Sequence, residues 1–173
     1  MRMISSPHRR AKSMQDLPEV LNWRRLNENI TSSGQPTEEQ LSEIKGLGVT
    51  HVINLESVTD QGALDDEAGA VADLGMRYTY IPVDFANPTE EDYAKFTSAI
   101  EKLEGKKIHV HRIYNARVSA FFYRYAKSGK RGIFEADADA LMDEIWRLGG
   151  VWAKFIRKDK AVALPHQYKG YGY

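Results

Sequence analysis

Two arginines, Arg112 and Arg117, lie five positions apart in the segment IHVHRIYNARVSAFFYRY (108–125). The segment begins as a short strand and ends as an amphipathic helix, so the arginines lie in or beside a tight polar loop. Successive backbone N–H groups in such a loop, together with the unpaired donors of the first helical turn, bind oxyanions. Arg117, at the start of the helix, can donate two parallel N–H bonds to a phosphate or sulfate. The pattern predicts a phosphate-binding loop over residues 111–117.

The remaining loop residues have predicted supporting roles. Asn115 is a residue type that tolerates the left-handed backbone conformation such loops require. His111 is expected to hydrogen-bond loop carbonyls and hold the loop's shape, although imidazole is also a competent phosphoryl acceptor. Ser119 can bond a loop backbone group or the bound anion, and Tyr114 can line the mouth of the site or lie exposed. The predicted phosphate-binding set is His111, Arg112, Ile113, Tyr114, Asn115, Ala116, Arg117 and Ser119.

Composition restricts the chemistry available to the chain. The 173 residues contain no cysteine, which excludes disulfides, thiolate metal sites and thiol catalysis. The net charge is zero, so any anion site must be local, and neither nucleic acid nor an anionic membrane is an expected partner. Apolar runs fall short of the roughly 18–20 residues that a membrane span needs, and the amino terminus lacks the apolar segment of a secretory signal. A cytoplasmic protein is therefore expected, with its oligomeric state left open.

No metal or other cofactor is predicted. The acidic residues of the segment 137–144 have no histidine at helical spacing among them, and they are typical of a solvated helix face. They are Asp137, Asp139, Asp143 and Glu144.

Helices and strands alternate around the predicted loop. Thr37 with Gln40, and Thr89 with Asp92, have the spacing at which a helix-capping side chain and its reciprocal partner occur. Alternating strands and helices favour an α/β fold with a mainly parallel central sheet flanked by helices, and such sheets bind ligands at the carboxyl ends of their strands. Strands are predicted around Trp23 and Ile30 and within 49–55, 76–83 and 108–111, and helices within 35–48, 65–75, 87–105, 117–129 and 136–156. Residues 1–18 are predicted to be a flexible basic arm, 19–160 a single domain and 161–173 a tail.

Several segments resemble the cysteine-dependent protein tyrosine and dual-specificity phosphatases, in particular a compact bacterial branch. The segment 108–125 resembles their signature loop, and SSGQPTEEQLSEIKGLGVTHVINL (32–55) resembles their Ser-Gly-Gln-Pro-Thr helix start and following strand. YIPVDFANPT (80–89) resembles the acid-loop region, and LMDEIWRLGGVWAKFI (141–156) the carboxyl-terminal helices. The resemblance implies a tyrosine-phosphatase-like fold and phosphoric monoester hydrolase ancestry. It also makes Arg117 the phosphate-binding arginine and Asp84 the candidate general acid.

The chain departs from the family pattern at the nucleophile. If His111 matches the loop histidine and Arg117 the loop arginine, Arg112 stands where the nucleophilic cysteine belongs; a rival alignment places His111 there. A guanidinium stays protonated and has no lone pair with which to attack phosphorus. The resemblance therefore implies a pseudophosphatase that binds a phosphorylated protein or a small phosphate ligand, with Arg112 either capturing or blocking phosphate.

Two alternatives stay open at this level. The first is an active phosphomonoester hydrolase, whose natural sequence has cysteine at position 112 or whose His111 is the nucleophile. The second is a sulfur-transfer relative, which also needs a cysteine and is disfavoured by the Ser-Gly-Gln-Pro-Thr context.

Overall fold

A computed structural model describes residues 15–57, 62–84, 86–128 and 150–156. The described elements are, in chain order, β1 (Arg24–Arg25), β2 (Ile30–Ser33), α1 (Glu38–Gly46), β3 (His51–Asn54), α2 (Glu67–Asp73), β4 (Arg77–Tyr80), α3 (Glu90–Lys102), β5 (Ile108–His111), α4 (Ala116–Lys127) and α5 (Gly150–Ile156). The alternation of strands and helices predicted from the sequence is confirmed over these ranges.

The strands form one five-stranded sheet in the order β1-β2-β5-β3-β4. β1 pairs antiparallel with β2, and the other three pairings are parallel. The predicted mainly parallel α/β fold is thus confirmed, with β5 as the central strand. The register aligns the last residue of β5, His111, with Ser33 of β2 and Asn54 of β3, so three strands end in one row.

The helix starts follow local sequence signals. Thr37 and Gln40 form the predicted reciprocal capping box at α1, and Thr89 and Asp92 form the second one at α3. Each box satisfies backbone N–H groups that have no partner inside the helix. These ends are set by residues within four positions of each other, which is why the sequence predicts them well.

The two faces of the sheet are covered by different helices. On one face α3, α4 and α5 enclose an aromatic core that contains Phe96, Phe121 and Trp152. On the other face α1 and α2 cover a smaller apolar cluster to which Val20 and Trp23 contribute. Successive residues of β5 alternate between the faces, so Val110 joins the first cluster while His109 stacks on Trp23 in the second.

Structure begins earlier in the chain than predicted. Residues 15–18 were assigned to the basic arm, yet Asp16 accepts a hydrogen bond from Trp23 Nε1 and pairs with Arg25, and Leu17 packs against the second apolar cluster. The contacts join residues 7 to 9 positions apart, which the polar composition of the arm conceals.

Several predictions lie outside the described residues: the rest of the basic arm (1–14), the acidic segment 137–144 and the tail 161–173. None of the described helices combines the length and apolar character needed to cross a membrane.

Candidate functional site

The predicted loop leaves the carboxyl end of β5 and leads directly into α4. Asn115 adopts φ 69°, the left-handed conformation predicted for it, and immediately precedes the helix. Its side chain donates to Asn22 O at 2.8 Å and to Ser32 Oγ at 3.1 Å instead of capping α4. The first backbone N–H groups of a helix have no intrahelical acceptor, so α4 presents donors and a partial positive charge at the loop.

Neighbouring segments hold the loop backbone from two sides. The Gln35 N–H donates to Ile113 O at 2.9 Å, and Asn22 Nδ2 donates to Tyr114 O at 2.7 Å. Ser119 Oγ donates to Asn115 O at 2.9 Å, one of the roles predicted for this hydroxyl. Three successive loop carbonyls are therefore fixed, which gives the loop a defined course before any ligand arrives.

Gly34 makes this close approach possible. A Cβ atom at position 34 would lie 2.5 Å from Ile113 O and 2.9 Å from Leu21 Cδ2. A contact of 2.5 Å with a backbone oxygen cannot be relieved by rotating a side chain. The glycine of the Ser-Gly-Gln-Pro segment thus allows β2 to pass directly beneath the loop.

His111 lies between two buried carboxylates. Its Nε2 is 2.8 Å from Glu67 Oε2, and its Nδ1 is 3.6 Å from Glu56 Oε1, an ion-pair distance longer than a normal hydrogen bond. Gln35 Nε2 donates to the second oxygen of Glu67 at 2.7 Å. The predicted shape-holding role of His111 thus takes an unpredicted form, since carboxylates replace the expected loop carbonyls as its partners.

The electrostatics of this cluster favour charge on the imidazole. Burial by itself lowers the pKa of His111, but the charge of Glu67 and the contacts with both carboxylates raise it to about 9. Burial likewise opposes ionisation of Glu67, yet the positive charge of His111 and hydrogen bonds from His111, Gln35 and Tyr78 lower its pKa below the ordinary value. His111 is therefore protonated and Glu67 ionised at neutral pH.

Arg112 is completely buried, with 0% of its surface exposed. Its Nη1 donates to the carbonyl of Leu55, just beyond β3, and to Val83 O at 2.9 Å, beyond β4. The side chain therefore reaches across the carboxyl ends of two neighbouring strands. Its guanidinium satisfies main-chain acceptors at the point where those strands leave the sheet.

The other predicted residues occupy different environments. Arg117 is half-buried in the first turn of α4, which Ala116 begins, and Ile113 is buried. Tyr114 is exposed over 64% of its surface, at the apex of the loop. The loop is thus presented to solvent at Tyr114 and anchored on both sides of it.

Asp84 lies in an exposed turn after β4. Its carboxylate accepts a hydrogen bond from the Ala86 N–H at 2.9 Å, and its carbonyl accepts one from the Asn87 N–H at 3.2 Å. These contacts stabilise the turn. A general-acid role for Asp84 stays a prediction.

His109 is buried beside the loop but is kept neutral. Thr31 Oγ1 lies 2.8 Å from its Nδ1 and Ser33 Oγ 2.8 Å from its Nε2, while Trp23 stacks on its ring. Burial, reinforced by the charge of His111, holds the pKa of His109 well below 6.5. The arrangement agrees with the inert, packed role predicted for this histidine.

Sequence reasoning missed Glu56, Glu67 and Asn22. Each lies 44 or more positions from its partner in the loop region. An acidic residue at the first position of a helix favours the helix dipole, so Glu67 carried only an ordinary helix-start signal. The parallel pairing of β3 with β5 is what brings these residues to the loop.

Comparison with known proteins places this geometry in a family. A crystal structure of a DUF442 phosphatase-like protein from Shewanella putrefaciens superposes with a TM-score of 0.74 at 32% identity, covering 83% of this chain and 93% of that chain. The chain belongs to the DUF442 family. This membership agrees with the resemblance to cysteine-dependent phosphatases and establishes a phosphatase-like fold.

More distant relatives extend the comparison. A β-lactamase hydrolase-like protein from two strains of Xylella fastidiosa is 31% identical over 146 residues, which is 83% of this chain but only 28% of that protein's length. A Pseudomonas aeruginosa phosphatase solved in complex with phosphotyrosine shares the fold at 15% identity, with a TM-score of 0.60 and coverage of 82% of this chain and 86% of that one. No protein-family model matches the DUF442 chain studied here.

The charge on His111 makes stability fall on the alkaline side. The folded protein retains a proton up to about pH 9 that the unfolded chain releases near 6.5, so rising pH between these values favours unfolding. Each pKa unit corresponds to about 1.4 kcal/mol, so the loss can reach about 3 kcal/mol. Urea denaturation at a series of pH values from 6 to 10 measures it.

Two further measurements separate His111 from other titrating groups. The His51→Gln variant should retain the alkaline slope, since the pKa of His51 is lowered by partial burial and by Arg77 and Lys106. An NMR titration of the His111 ring should have its midpoint near 9. A midpoint at or below 6.5 would contradict the charged assignment.

Replacing Gly34 with alanine should displace the loop. The added methyl group would contact Ile113 O, so β2 or the loop must move, at a cost of about 1–3 kcal/mol in unfolding free energy. Gly46→Ala is the matched control, because a Cβ there meets no atom within 4 Å. Denaturation curves that coincide for the two variants would refute the proposed steric restriction.

Proposed function

We propose that this DUF442 chain is a pseudophosphatase, which binds the phosphate group of a phosphorylated protein or small molecule at loop 111–117 without hydrolysing it through a covalent intermediate. The observation that carries the proposal is Arg112, a completely buried cation at the end of the central strand. Its Nη1 is bonded to Leu55 O and Val83 O.

The first argument concerns the nucleophile. Covalent phosphoryl transfer in this superfamily requires a thiolate, and the chain has no cysteine. His111 does not offer a replacement, because a pKa of about 9 leaves it protonated and without a lone pair at neutral pH. A water molecule attacking within the same loop would lack the covalent step and react far more slowly.

The second argument concerns binding. The left-handed Asn115 and the beginning of α4 are the backbone features with which proteins bind oxyanions, and Arg117 is half-buried in the first helical turn. Since Arg112 has no exposed surface, a ligand entering from solvent would meet main-chain N–H groups and Arg117 first. The phosphotyrosine bound by the Pseudomonas relative supports a phosphate monoester as the ligand class.

The absence of covalent catalysis can be tested by restoring the sulfur. The unmodified protein should hydrolyse 4-nitrophenyl phosphate no faster than buffer, whereas Arg112→Cys should hydrolyse it measurably. The matched control is Arg112→Ser, which removes the same donors to Leu55 O and Val83 O but supplies no thiolate. Both variants should lose about 1–3 kcal/mol of unfolding free energy, since buried carbonyls lose their partner.

Circular dichroism would establish that both Arg112 variants are folded before their rates are compared. Phosphatase activity in the unmodified protein, retained through independent preparations and lost in Arg117→Ala, would favour the active alternative instead.

Binding can be tested with oxyanions alone. Tungstate or inorganic phosphate at about one hundred times Kd should stabilise the fold by about 2.7 kcal/mol, which corresponds to about 5–10 °C in Tm. Arg117→Ala should remove most of this shift, whereas Arg77→Ala, an exposed arginine on β4, should preserve it. A Tm that no oxyanion changes would mean that Arg112 fills the cradle and excludes phosphate.

A further inference from the structure

Two asparagines in the described residues have positive backbone φ angles, and they bond to each other. Asn22 has φ 51° and Asn115 has φ 69°; among the described residues the other positive φ angles belong to glycines. Asparagine tolerates this region, but the conformation is uncommon for any residue with a side chain. Backbone strain of this kind concentrates at functional sites, where the surrounding structure maintains it.

The two asparagines form a reciprocal clamp on the apex of the loop. Asn22 Nδ2 donates to Tyr114 O at 2.7 Å, and Asn115 Nδ2 donates to Asn22 O at 2.8 Å. The clamp thus fixes two consecutive loop residues to one residue that is 92 positions away in the chain. It holds the loop on the side opposite to His111, which anchors the other end.

Asn22 is itself held rigidly. Val20 and Trp23 are buried on either side of it, and Trp23 stacks on His109 with ring centroids 5.2 Å apart. The preceding residue, Leu21, accepts a hydrogen bond from the Gly34 N–H at 2.7 Å. The segment before β1 therefore connects the loop apex to the apolar cluster beneath it.

The side chain of Asn22 has a role that backbone conformation alone does not explain. Asn22 is exposed, and glycine would adopt φ 51° with less strain. Glycine would, however, lose the Nδ2 donor to Tyr114 O. The strained asparagine thus supplies a contact to the loop that the residue best suited to this conformation lacks.

We propose that Asn22 is a positioning residue of the oxyanion site. By holding Tyr114 and Asn115, it keeps the loop N–H groups in the arrangement that a tetrahedral phosphate requires. The inference rests on the proposed function, since it concerns the affinity of that same site. Asn22 does not contact the ligand and acts through the loop backbone.

The variant Asn22→Gly isolates the side-chain contact. It retains the backbone conformation and Asn22 O, the acceptor for Asn115, and removes the bond to Tyr114 O. Tungstate affinity, measured by isothermal titration calorimetry, should fall about fivefold, the equivalent of one neutral hydrogen bond. The Tm without tungstate should stay nearly unchanged, because lost bonding and relieved strain act in opposite directions.

The same substitution at Asn27 provides the control. Asn27 Oδ1 accepts hydrogen bonds from the backbone N–H groups of Asn29 and Ile30, at the amino end of β2, away from the loop. Asn27→Gly should lower the Tm and leave tungstate affinity unchanged. This opposite division between affinity and stability distinguishes positioning from a general structural role.

Amide hydrogen exchange of residues 113–117 separates the inference from the proposed function. Faster exchange in Asn22→Gly than in the wild type is expected. If the wild type binds tungstate and Asn22→Gly binds it equally well, the inference is overturned while the proposed function stands. If the wild type binds no tungstate, the proposed function and this role in affinity are both overturned, and exchange then shows whether Asn22 orders the loop at all.

Discussion

His111 carries a buried positive charge at the carboxyl end of the central strand, between Glu56 and Glu67. Removing such a charge from water costs several kcal/mol, and only well-placed partners offset that cost. The partners come from the residues after β3 and from the first turn of α2, so the charge joins three separate parts of the chain. Every other feature of the loop is built outward from this fixed end.

Two cationic side chains follow one another at the end of β5, and the structure stabilises them with different chemistry. The imidazolium of His111 has carboxylate partners, whereas Nη1 of Arg112 bonds to the main-chain carbonyls of Leu55 and Val83. Those carbonyls belong to the points where β3 and β4 leave the sheet. Arg112 thus contributes to the packing of strand ends, a structural role that a reactive cysteine at this position would not fill.

Local signals account for the parts of the fold that the sequence predicts correctly. Caps at Thr37 and Thr89, the strand of β5 and the left-handed Asn115 depend on residue type and on neighbours within four positions. Alternation of strands and helices then leads to a parallel sheet, because few other arrangements bury both faces. The site is less predictable, since Glu67 reaches His111 across 44 positions and Asn22 reaches Tyr114 across 92. Only the strand order brings such residues together, and no local pattern encodes it.

The contacts that shape the loop are largely independent of the residue at position 112. Gln35, Asn22 and Ser119 bond to backbone carbonyls of the loop, and Gly34 provides the space for their approach. Glu67 acts through His111, so it too makes its contact without the side chain of Arg112. A scaffold supported in this way can keep its course when the nucleophile is replaced. This separation gives a physical basis for the proposal that oxyanion binding persists in a chain without covalent chemistry.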